Sequence, residues 1–395
     1  MEQVIENYTE GTLLIGLKGR VDTTNAGEVE QEIMRIAETH PGETPVLDAE
    51  ELEYISSAGL RVVLRLKKRY PELHIINVQP EVYEIFDMTG FTEMMSVEKA
   101  FRKVSVEGCE VIGEGANGKV YRIDPETIVK FYKNSDALFA IKRERELARK
   151  AFVMGIPTAI PYDVVRIGDS YGSVFELLRS QSFAKIVAKE PERTDEMIAM
   201  SVDLLKKIHA VELPHGELPD RKAIALGWTE VFTGYLPEEI ITKIRKLISE
   251  IPENNHMLHG DYHMKNLMLQ DGEALLIDMD TLSQGDPIFE FMGIYSSYVG
   301  FNELDPMTSQ AFLGIPFETS LHIWDETIRL YCGTDDPKRA EEVRKRAEAM
   351  GQIRIMSRAI RRRIAGKEAG DAQIALSTEK LIKIIPEVDK LSFEG

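Results

Sequence analysis

The sequence predicts two successive domains, an α/β layer domain followed by a larger, two-lobed α+β domain. In the first hundred residues, short apolar runs typical of buried strands alternate with amphipathic runs typical of helices. A glycine-rich hairpin and further strands follow, and after about residue 180 amphipathic helices dominate. At 395 residues the chain is too long for one ordinary core. The boundary is expected between Val104 and Gly108, which gives domains over 1–105 and 106–395.

Composition and charge exclude several classes of protein. The chain is 43% hydrophobic and 29% charged, as globular proteins are. Its 48 basic and 66 acidic side chains give a net charge of −18, whereas nucleic-acid binders usually show the opposite balance. No apolar stretch approaches the ~20 residues of a membrane helix, and two cysteines suggest no disulfide framework. We therefore expect a cytoplasmic protein that binds neither nucleic acid nor membrane.

The first domain shows a regular alternation of predicted elements. Strands are predicted over 12–17, 45–48 and 73–78, and helices over 26–39, 58–69 and 82–89. Gly90 follows the last helix at the position typical of a helix C-terminus. This order predicts a sheet covered by helices.

Three stretches of this domain carry distinctive motifs. They are Leu-Lys-Gly-Arg-Val-Asp at 17–22, Tyr-Ile-Ser-Ser-Ala-Gly-Leu at 54–60 and Ile-Phe-Asp-Met-Thr-Gly-Phe at 85–91. Together they resemble the STAS domain, the fold of anti-sigma factor antagonists, over nearly all of 1–105. The resemblance implies an α/β STAS sandwich that engages a protein partner. It places Ser57 at the family's phosphorylated serine, with Ser56 where an aspartate usually precedes it.

The residues themselves leave two roles open for Ser57. A serine at a helix N-terminus can cap the helix, and the same place suits a phosphate because free N–H groups point outward. Glu50, Glu51 and Glu53 lie nearby and would repel added charge. Ser57 is therefore expected to be either an N-cap or a phosphorylation site.

The second domain opens with a glycine-rich stretch. Gly113, Gly115 and Gly118 precede Val120 in the pattern G-x-G-x-x-G-x-V. Similar glycines in a Rossmann fold open a helix, whereas residues 120–123 here are typical of a second hairpin strand. Glycines allow the backbone to approach phosphates closely. The stretch therefore predicts a loop that covers nucleotide phosphates.

A lysine and a glutamate downstream complete the predicted nucleotide site. Lys130 lies in the next strand, 127–132, and a helix over 139–154 carries Glu144 and Glu146. In kinase-type phosphoryl transfer, a helix glutamate holds such a lysine at the α/β-phosphates. We expect Glu146 to be that partner, from its distance to the turn at 155–157. In kinase-like folds the end of the strand predicted over 171–178 is the hinge, and this likeness implies that backbone groups of Glu176 and Leu178 bond adenine.

The stretch 259–266, His-Gly-Asp-Tyr-His-Met-Lys-Asn, leads into a predicted hairpin with its turn at 271–272. This hairpin would bring Asp261, Asn266 and Asp278 together. Phosphoryl transfer uses a carboxylate beside the attacking hydroxyl, here Asp261, and an amide and a carboxylate on magnesium, here Asn266 and Asp278. Taken alone, the stretch also fits an irregular polar loop.

These motifs in this order resemble the aminoglycoside phosphotransferase and choline kinase family over about 108–370. Gly-Asp-Pro at 285–287 followed by Glu290 fits the G-D-P-x-x-D pattern of that family. Met279-Asp280 replaces the Phe-Gly of the protein-kinase D-F-G motif. The resemblance implies a protein-kinase-like fold, with a small lobe over about 106–178 and a helical lobe over about 179–395. It also implies ATP and Mg²⁺ as cofactors.

The sequence thus predicts an ATP- and Mg²⁺-dependent phosphotransferase that acts on a hydroxyl-bearing small molecule and carries a STAS regulatory module. The alternative is a signalling protein whose kinase-like lobe binds a nucleotide or ligand without turnover while the STAS domain engages a partner. Sugars, aminoglycosides, choline-like alcohols and protein serines all remain open as acceptors.

Four side-chain features are expected to be structural. His209 is expected to pack or cap a helix, and His263 to orient the 259–266 loop. Asp286 is expected to bond the backbone of that loop. The basic stretch 354–367 is expected to form a solvated or internally paired helix face.

Overall fold

The structure is a computed structural model that describes residues 3–9, 12–114, 118–133, 138–333, 336–364, 366 and 370–393. It consists of two compact units, Met1–Ser105 and Val106–Gly395, each with its own hydrophobic core. Within the part of the chain that is described, no helix has the length and apolar character needed to cross a membrane.

The first unit contains a five-stranded sheet in the order β1-β2-β3-β4-β5. The strands are β1 Val4–Thr9, β2 Thr12–Val21, β3 Val46–Ile55, β4 His74–Val78 and β5 Val97–Lys99, and a short strand, β6, covers Arg102–Lys103. β1 runs antiparallel to β2, and the other neighbours are parallel.

Four helices belong to this unit. They are α1 Ala26–Thr39, α2 Ser57–Arg69, α3 Pro80–Met88 and α4 Phe91–Met94. The apolar face predicted for α1 is buried, including Val29, Ile33 and Ile36. Gly90 has a positive φ of 77°, as its place after α3 predicts. The predicted α/β sandwich is confirmed, with β1 and β5 as additional edge strands.

The small lobe of the second unit has five antiparallel strands in the order β7-β8-β9-β11-β10. They are β7 Glu110–Glu114, β8 Gly118–Arg122, β9 Thr127–Tyr132, β10 Pro161–Ile167 and β11 Ser170–Glu176. One helix, α5 Leu138–Val153, packs against β10 and β11, and its buried residues include Ile141 and Ala148.

The helical lobe follows and contains short strands beside its helices. The strands are β12 Gln181–Ser182, β13 Met257–Leu258, β14 Leu267–Gln270, β15 Glu273–Leu276 and β16 Ser283–Gln284. The helices are α6 Phe183–Lys189, α7 Thr194–His209, α8 Arg221–Trp228, α9 Glu238–Ser249, α10 Ile288–Tyr298, α11 Met307–Leu313, α12 Phe317–Cys332, α13 Pro337–Ile364 and α14 Asp371–Ile384.

The core of this lobe is built around α10, which is buried along nearly its whole length and packs against α12 and α13. After α14 the chain returns to the core, where Phe393 stacks on Phe291 with ring centroids 5.3 Å apart. The two-lobed α+β fold predicted for this unit is therefore confirmed.

Candidate active site

A triad of charged side chains joins the small lobe to the β14–β15 hairpin. Lys130 Nζ lies 2.7 Å from Glu144 Oε1 and 2.7 Å from Asp278 Oδ1. Glu144 is almost fully buried on α5 and also accepts a hydrogen bond from the hydroxyl of Tyr132. Burial disfavours a charged ammonium, but the two neighbouring carboxylates raise the pKa of Lys130 above its usual value. Lys130 is therefore held as a cation between two carboxylates.

The expectation that Glu146 pairs with Lys130 is wrong. The side chain of Glu146 is 68% exposed, and its Oε1 lies 3.7 Å from Lys150 Nζ on the same helix. Positions 144 and 146 are about 200° apart around a helix axis, so they cannot both face the sheet. Glu144 shares the buried face of α5 with Ile141 and Ala148. It therefore takes the position beside Lys130.

An apolar cavity of about 300 Å³ borders this triad. Glu176 and Leu178 contribute to its wall, together with apolar side chains from both lobes. The Glu176 amide donates to Ile160 O at 3.0 Å, and Leu177 N donates to Glu126 O at 2.7 Å. These bonds fix the chain where β11 ends. The cavity has the size and apolar character of a site for a planar ring system.

The predicted glycines of the nucleotide loop differ in how closely other atoms approach them. Gly113 lines the cavity, and a Cβ there would lie 3.6 Å from the Val120 side chain, at an ordinary contact distance. At Gly118 a Cβ would lie 1.8 Å from the carbonyl oxygen of Phe131 on the paired strand. Gly118 is thus required for the β8–β9 pairing, apart from any contact with phosphate. Gly115 lies outside the described residues.

The predicted hairpin is present, and it brings the polar residues at its two ends together. Its turn residues Asp271 and Gly272 both have positive φ, 52° and 83°. Ile277 N donates to the carbonyl oxygen of Asn266 at 3.0 Å, so Asp278 lies beside Asn266 across the hairpin. Asn266 Nδ2 donates to the carbonyl oxygen of Asp261 at 2.9 Å. These bonds assemble Asp261, Asn266 and Asp278 at one end of the hairpin.

A fully buried carboxylate accepts hydrogen bonds from the backbone of the 259–266 loop. Glu290, on α10, accepts from His259 N at 2.6 Å and from Gly260 N at 2.8 Å. The expectation that Asp286 makes such bonds is wrong. Asp286 instead accepts from Ile288 N at 2.9 Å and from Phe393 N at 2.8 Å, because it lies where α10 begins. Glu290, one helical turn later, faces the loop.

Asp261 is ionised in this environment. Burial by itself would raise its pKa, but the hydrogen bond from His263 and the nearby charge of Arg354 lower the pKa of Asp261 to about 2. His263 Nε2 lies 3.4 Å from Asp261 Oδ2, and its ring packs edge-on against Phe312. His263 is therefore placed to orient the carboxylate, as expected.

Arg221 is a site residue that the sequence reasoning missed. It is 8% exposed on α8, and its Nη2 donates to the carbonyl oxygen of Gly260 at 3.4 Å. Burial and the neighbouring charge of Arg354 lower the pKa of Arg221 to about 10. No motif marks it, because it lies 39 residues before the loop that it contacts. His209, by contrast, is packed as expected, with Nδ1 2.6 Å from the Tyr331 hydroxyl.

The donor set at the hairpin fits a magnesium ion that is shared with phosphate. Asn266 uses its amide nitrogen within the loop, which leaves its oxygen as a ligand, and the side chain of Asp278 is 41% exposed. Mg²⁺ prefers one or two protein oxygens completed by water and substrate phosphates. Among the described residues, no group of three or more His, Cys, Asp or Glu forms a self-sufficient metal site. Asn266 and Asp278 therefore provide part of the coordination shell that Mg²⁺ would need.

In the first unit, the N-cap of α2 is Ser56. Its Oγ accepts from Ala58 N at 3.2 Å and from Gly59 N at 3.4 Å, and its backbone is extended with φ −91° and ψ 175°. The expectation that Ser57 could be the cap is wrong, because Ser57 is the first helical residue. Its side chain is exposed beside a capped helix end.

Comparisons with known proteins agree with this division of the chain. A model of the phosphotransferase enzyme family matches residues 108–319, and a STAS domain model matches residues 5–105. BtrV of Bordetella bronchiseptica, which is named as an anti-sigma factor antagonist, is 40% identical over 93 residues, or 22% of this chain and 78% of that protein. An anti-sigma F factor antagonist of Paenibacillus polymyxa is 24% identical over 99 residues, or 24% of this chain and 85% of that protein.

Two solved structures are similar to this chain. A thermostable mutant of aminoglycoside phosphotransferase APH(4)-Ia, in ternary complex with ADP and hygromycin B, is 12% identical and matches with a TM-score of 0.50. The match covers 72% of this chain and 95% of that one. A choline/ethanolamine kinase family protein from Mesorhizobium loti is 14% identical over 72% of this chain and 90% of that one, with a TM-score of 0.48.

Proposed function

Because this chain belongs to the phosphotransferase enzyme family, we propose that it transfers the γ-phosphoryl group of ATP to a hydroxyl group of a small molecule. The observation that carries the proposal is the assembly of Lys130, Asp278 and the 259–266 loop beside an apolar cavity. The cavity would receive adenine, with backbone groups of Glu176 and Leu178 as its partners. Lys130, held by Glu144, would contact the α/β-phosphates.

Mg²⁺ held by Asn266 and Asp278 would neutralise charge on the phosphates when it is bound. Asp261 would accept a hydrogen bond from the acceptor hydroxyl and fix the direction of attack. The acceptor oxygen then bonds to the γ-phosphorus, the bond to the β,γ-bridging oxygen breaks, and ADP leaves. The hydroxyl proton passes to Asp261. A carboxylate with a pKa of about 2 is a weak base, so it takes the proton late, once bond formation has made the hydroxyl acidic.

We propose that the STAS domain engages a protein partner and that phosphorylation of Ser57 regulates this contact. The exposure of Ser57 at the start of α2 supports the proposal, since Ser56 already supplies the cap. Phosphate there would add about −1.5 to −2 charges near helix N–H groups, and nearby glutamates would oppose it. The test is phosphosite mapping after incubation with Mg-ATP, followed by partner capture with Ser57→Asp. An unphosphorylated Ser57, together with partner binding unchanged by Ser57→Asp, would contradict this regulation.

A screen of hydroxyl acceptors for ADP release tests the phosphotransferase assignment. With a productive acceptor, Asp261→Ala is expected to lower turnover by roughly 10²–10⁴-fold, as loss of a general base does. Mg-ATP at 100-fold over Kd should stabilise the second unit by about 2.7 kcal/mol, and Asp278→Ala should remove this gain. Stabilisation by Mg-ATP without turnover of any acceptor would favour a nucleotide-sensing protein instead. No stabilisation at all would contradict the nucleotide site.

A further inference from the structure

A second cavity, of about 600 Å³, lies between α8 and α13. We call it the basic cavity. Nine described residues line it, and they are Ala223, Ile224, Gly227, Trp228, Arg354, Ser357, Arg358, Arg361 and Arg362. None of the nine is acidic, although the whole chain carries a net charge of −18. The local charge is therefore opposite to that of the protein as a whole.

The basic cavity adjoins the 259–266 loop. Arg354 Nη1 lies 3.3 Å from the position a Cβ would take on Gly293, and that position is 3.8 Å from the carbonyl oxygen of Gly260. Arg221, at the start of α8, donates to the same carbonyl group. The charge of Arg354 also helps to lower the pKa of Asp261. The wall of the cavity thus comes close to the backbone of the 259–266 loop, which carries the carboxylate that would face the acceptor hydroxyl.

The arginines of helix α13 are partly paired within the chain: Arg361 Nη2 lies 4.0 Å from Glu230 Oε2. Arg363 fits the expected paired face, with Nη1 3.1 Å from Asp371 Oδ1. Arg358 instead lies over the ring of Phe301, and it is near enough to Arg354 to repel it. Among the described side chains, no carboxylate lies within 4 Å of the guanidinium of Arg354 or Arg358. The expectation of a solvated or internally paired face is therefore borne out for the exposed arginines Arg358, Arg361, Arg362 and Arg363. Arg354 differs, because it is only partly exposed.

Guanidinium groups in such a cluster recognise carboxylate, phosphate and sulfate groups through charge-assisted hydrogen bonds. Trp228 and Ile224 add an apolar surface for a ring or carbon chain. A polycationic or quaternary ammonium acceptor would meet repulsion from several arginines. Resting on the proposed function, we infer that the acceptor is a small hydroxyl compound that carries an anionic group. Arg354 and Arg358 hold this group while the hydroxyl faces Asp261.

The test compares Arg358→Gln with Arg363→Gln, a matched control on the same helix but outside the cavity. The acceptor panel contains hydroxy acids, sugar phosphates, neutral sugars and an aminoglycoside, at fixed Mg-ATP and ionic strength. We expect turnover of an anionic acceptor, with KM raised about 10- to 100-fold in Arg358→Gln and unchanged in the control. The hydroxy-acid and sugar-phosphate arms show which anionic group is preferred.

A second measurement does not depend on turnover. Citrate and inorganic phosphate should raise the melting temperature of the wild type and of Arg363→Gln, but not that of Arg358→Gln, against chloride at matched ionic strength. Preference for neutral or cationic acceptors, or anion stabilisation that persists in Arg358→Gln, would overturn the inference and leave the phosphotransferase assignment standing. Absence of turnover with the whole panel would overturn both.

Discussion

The variants Glu144→Gln and Glu146→Gln test which glutamate of α5 holds Lys130. The structure places Glu144 beside Lys130, whereas the spacing in the sequence suggested Glu146. Both substitutions remove one negative charge and keep the side-chain length. Only Glu144 contacts Lys130, at 2.7 Å, and only Glu144 is buried. The pair of variants therefore differs in position alone.

The magnitude follows from these contacts. Removal of one partner from a buried ion pair typically costs about 3–5 kcal/mol. Here Lys130 keeps Asp278, its side chain is 24% exposed, and Gln still offers one acceptor oxygen, so we expect about 1–2 kcal/mol. Glu146, largely exposed and 3.7 Å from Lys150, should contribute no more than about 0.5 kcal/mol.

Thermal unfolding and Mg-ATP titration of the full chain measure the two consequences. Glu144→Gln should lower the melting temperature of the second unit by roughly 2–6 °C. It should also weaken Mg-ATP binding roughly 10-fold or more, because Lys130 would lose the group that directs it toward phosphate. Glu146→Gln should match the wild type in both assays. Equal losses of affinity in the two variants, or none in Glu144→Gln, would refute the assignment.

Three further predictions concern other parts of the second unit. Burial opposes the charge of Glu290, yet His209, His259 and the backbone amide of Gly260 lower its pKa below the unfolded value of about 4.3. Its stabilisation is therefore present above that pH and lost as the pH falls through the folded pKa, so Glu290→Gln should lower the melting temperature at pH 7 and less so below about pH 4. Gly118→Ala should disrupt the small lobe, seen as loss of Mg-ATP binding, while Gly113→Ala should be tolerated, because the added Cβ clashes only at position 118. Phe393→Ala should destabilise the second unit by about 3–5 kcal/mol in urea unfolding, because the ring is 4% exposed within the core. An unchanged midpoint would contradict the packing of the C-terminal segment.

Local patterns determined the elements of this protein. In the first unit, short apolar runs alternate with runs in which apolar residues repeat every 3.6 residues, and this alternation alone predicts a sheet covered by helices. The β14–β15 hairpin was predictable because its turn residues lie next to each other in sequence. The same holds for the closure between Asp261 and Asn266, whose bonded atoms are only five residues apart. Contacts between residues this close in the chain can be predicted from the sequence.

Where two nearby residues of the same type could fill one role, only the backbone structure showed which of them does so. Glu144 and Glu146 differ in which face of α5 they occupy, and spacing from the next turn did not reveal the face. Ser56 and Ser57 differ in backbone conformation, since only the extended residue can cap the helix. In both pairs the two side chains are chemically identical, and only the backbone position determines which of them makes the contact.

Contacts across long stretches of sequence were decided by the tertiary structure alone. Motif order placed Lys130 and Asp278 in one site, but their direct pairing over 148 residues appears only in the fold. The G-D-P-x-x-D pattern marked Glu290, but its bond to Gly260 appears only in the fold. The same holds for the contact of Arg221 with Gly260 and for the arginine-lined cavity between α8 and α13. A charged residue looks the same in sequence whether it faces water or a buried neighbour. Only the packing of distant helices determines which of these charges are paired and which remain open to a ligand.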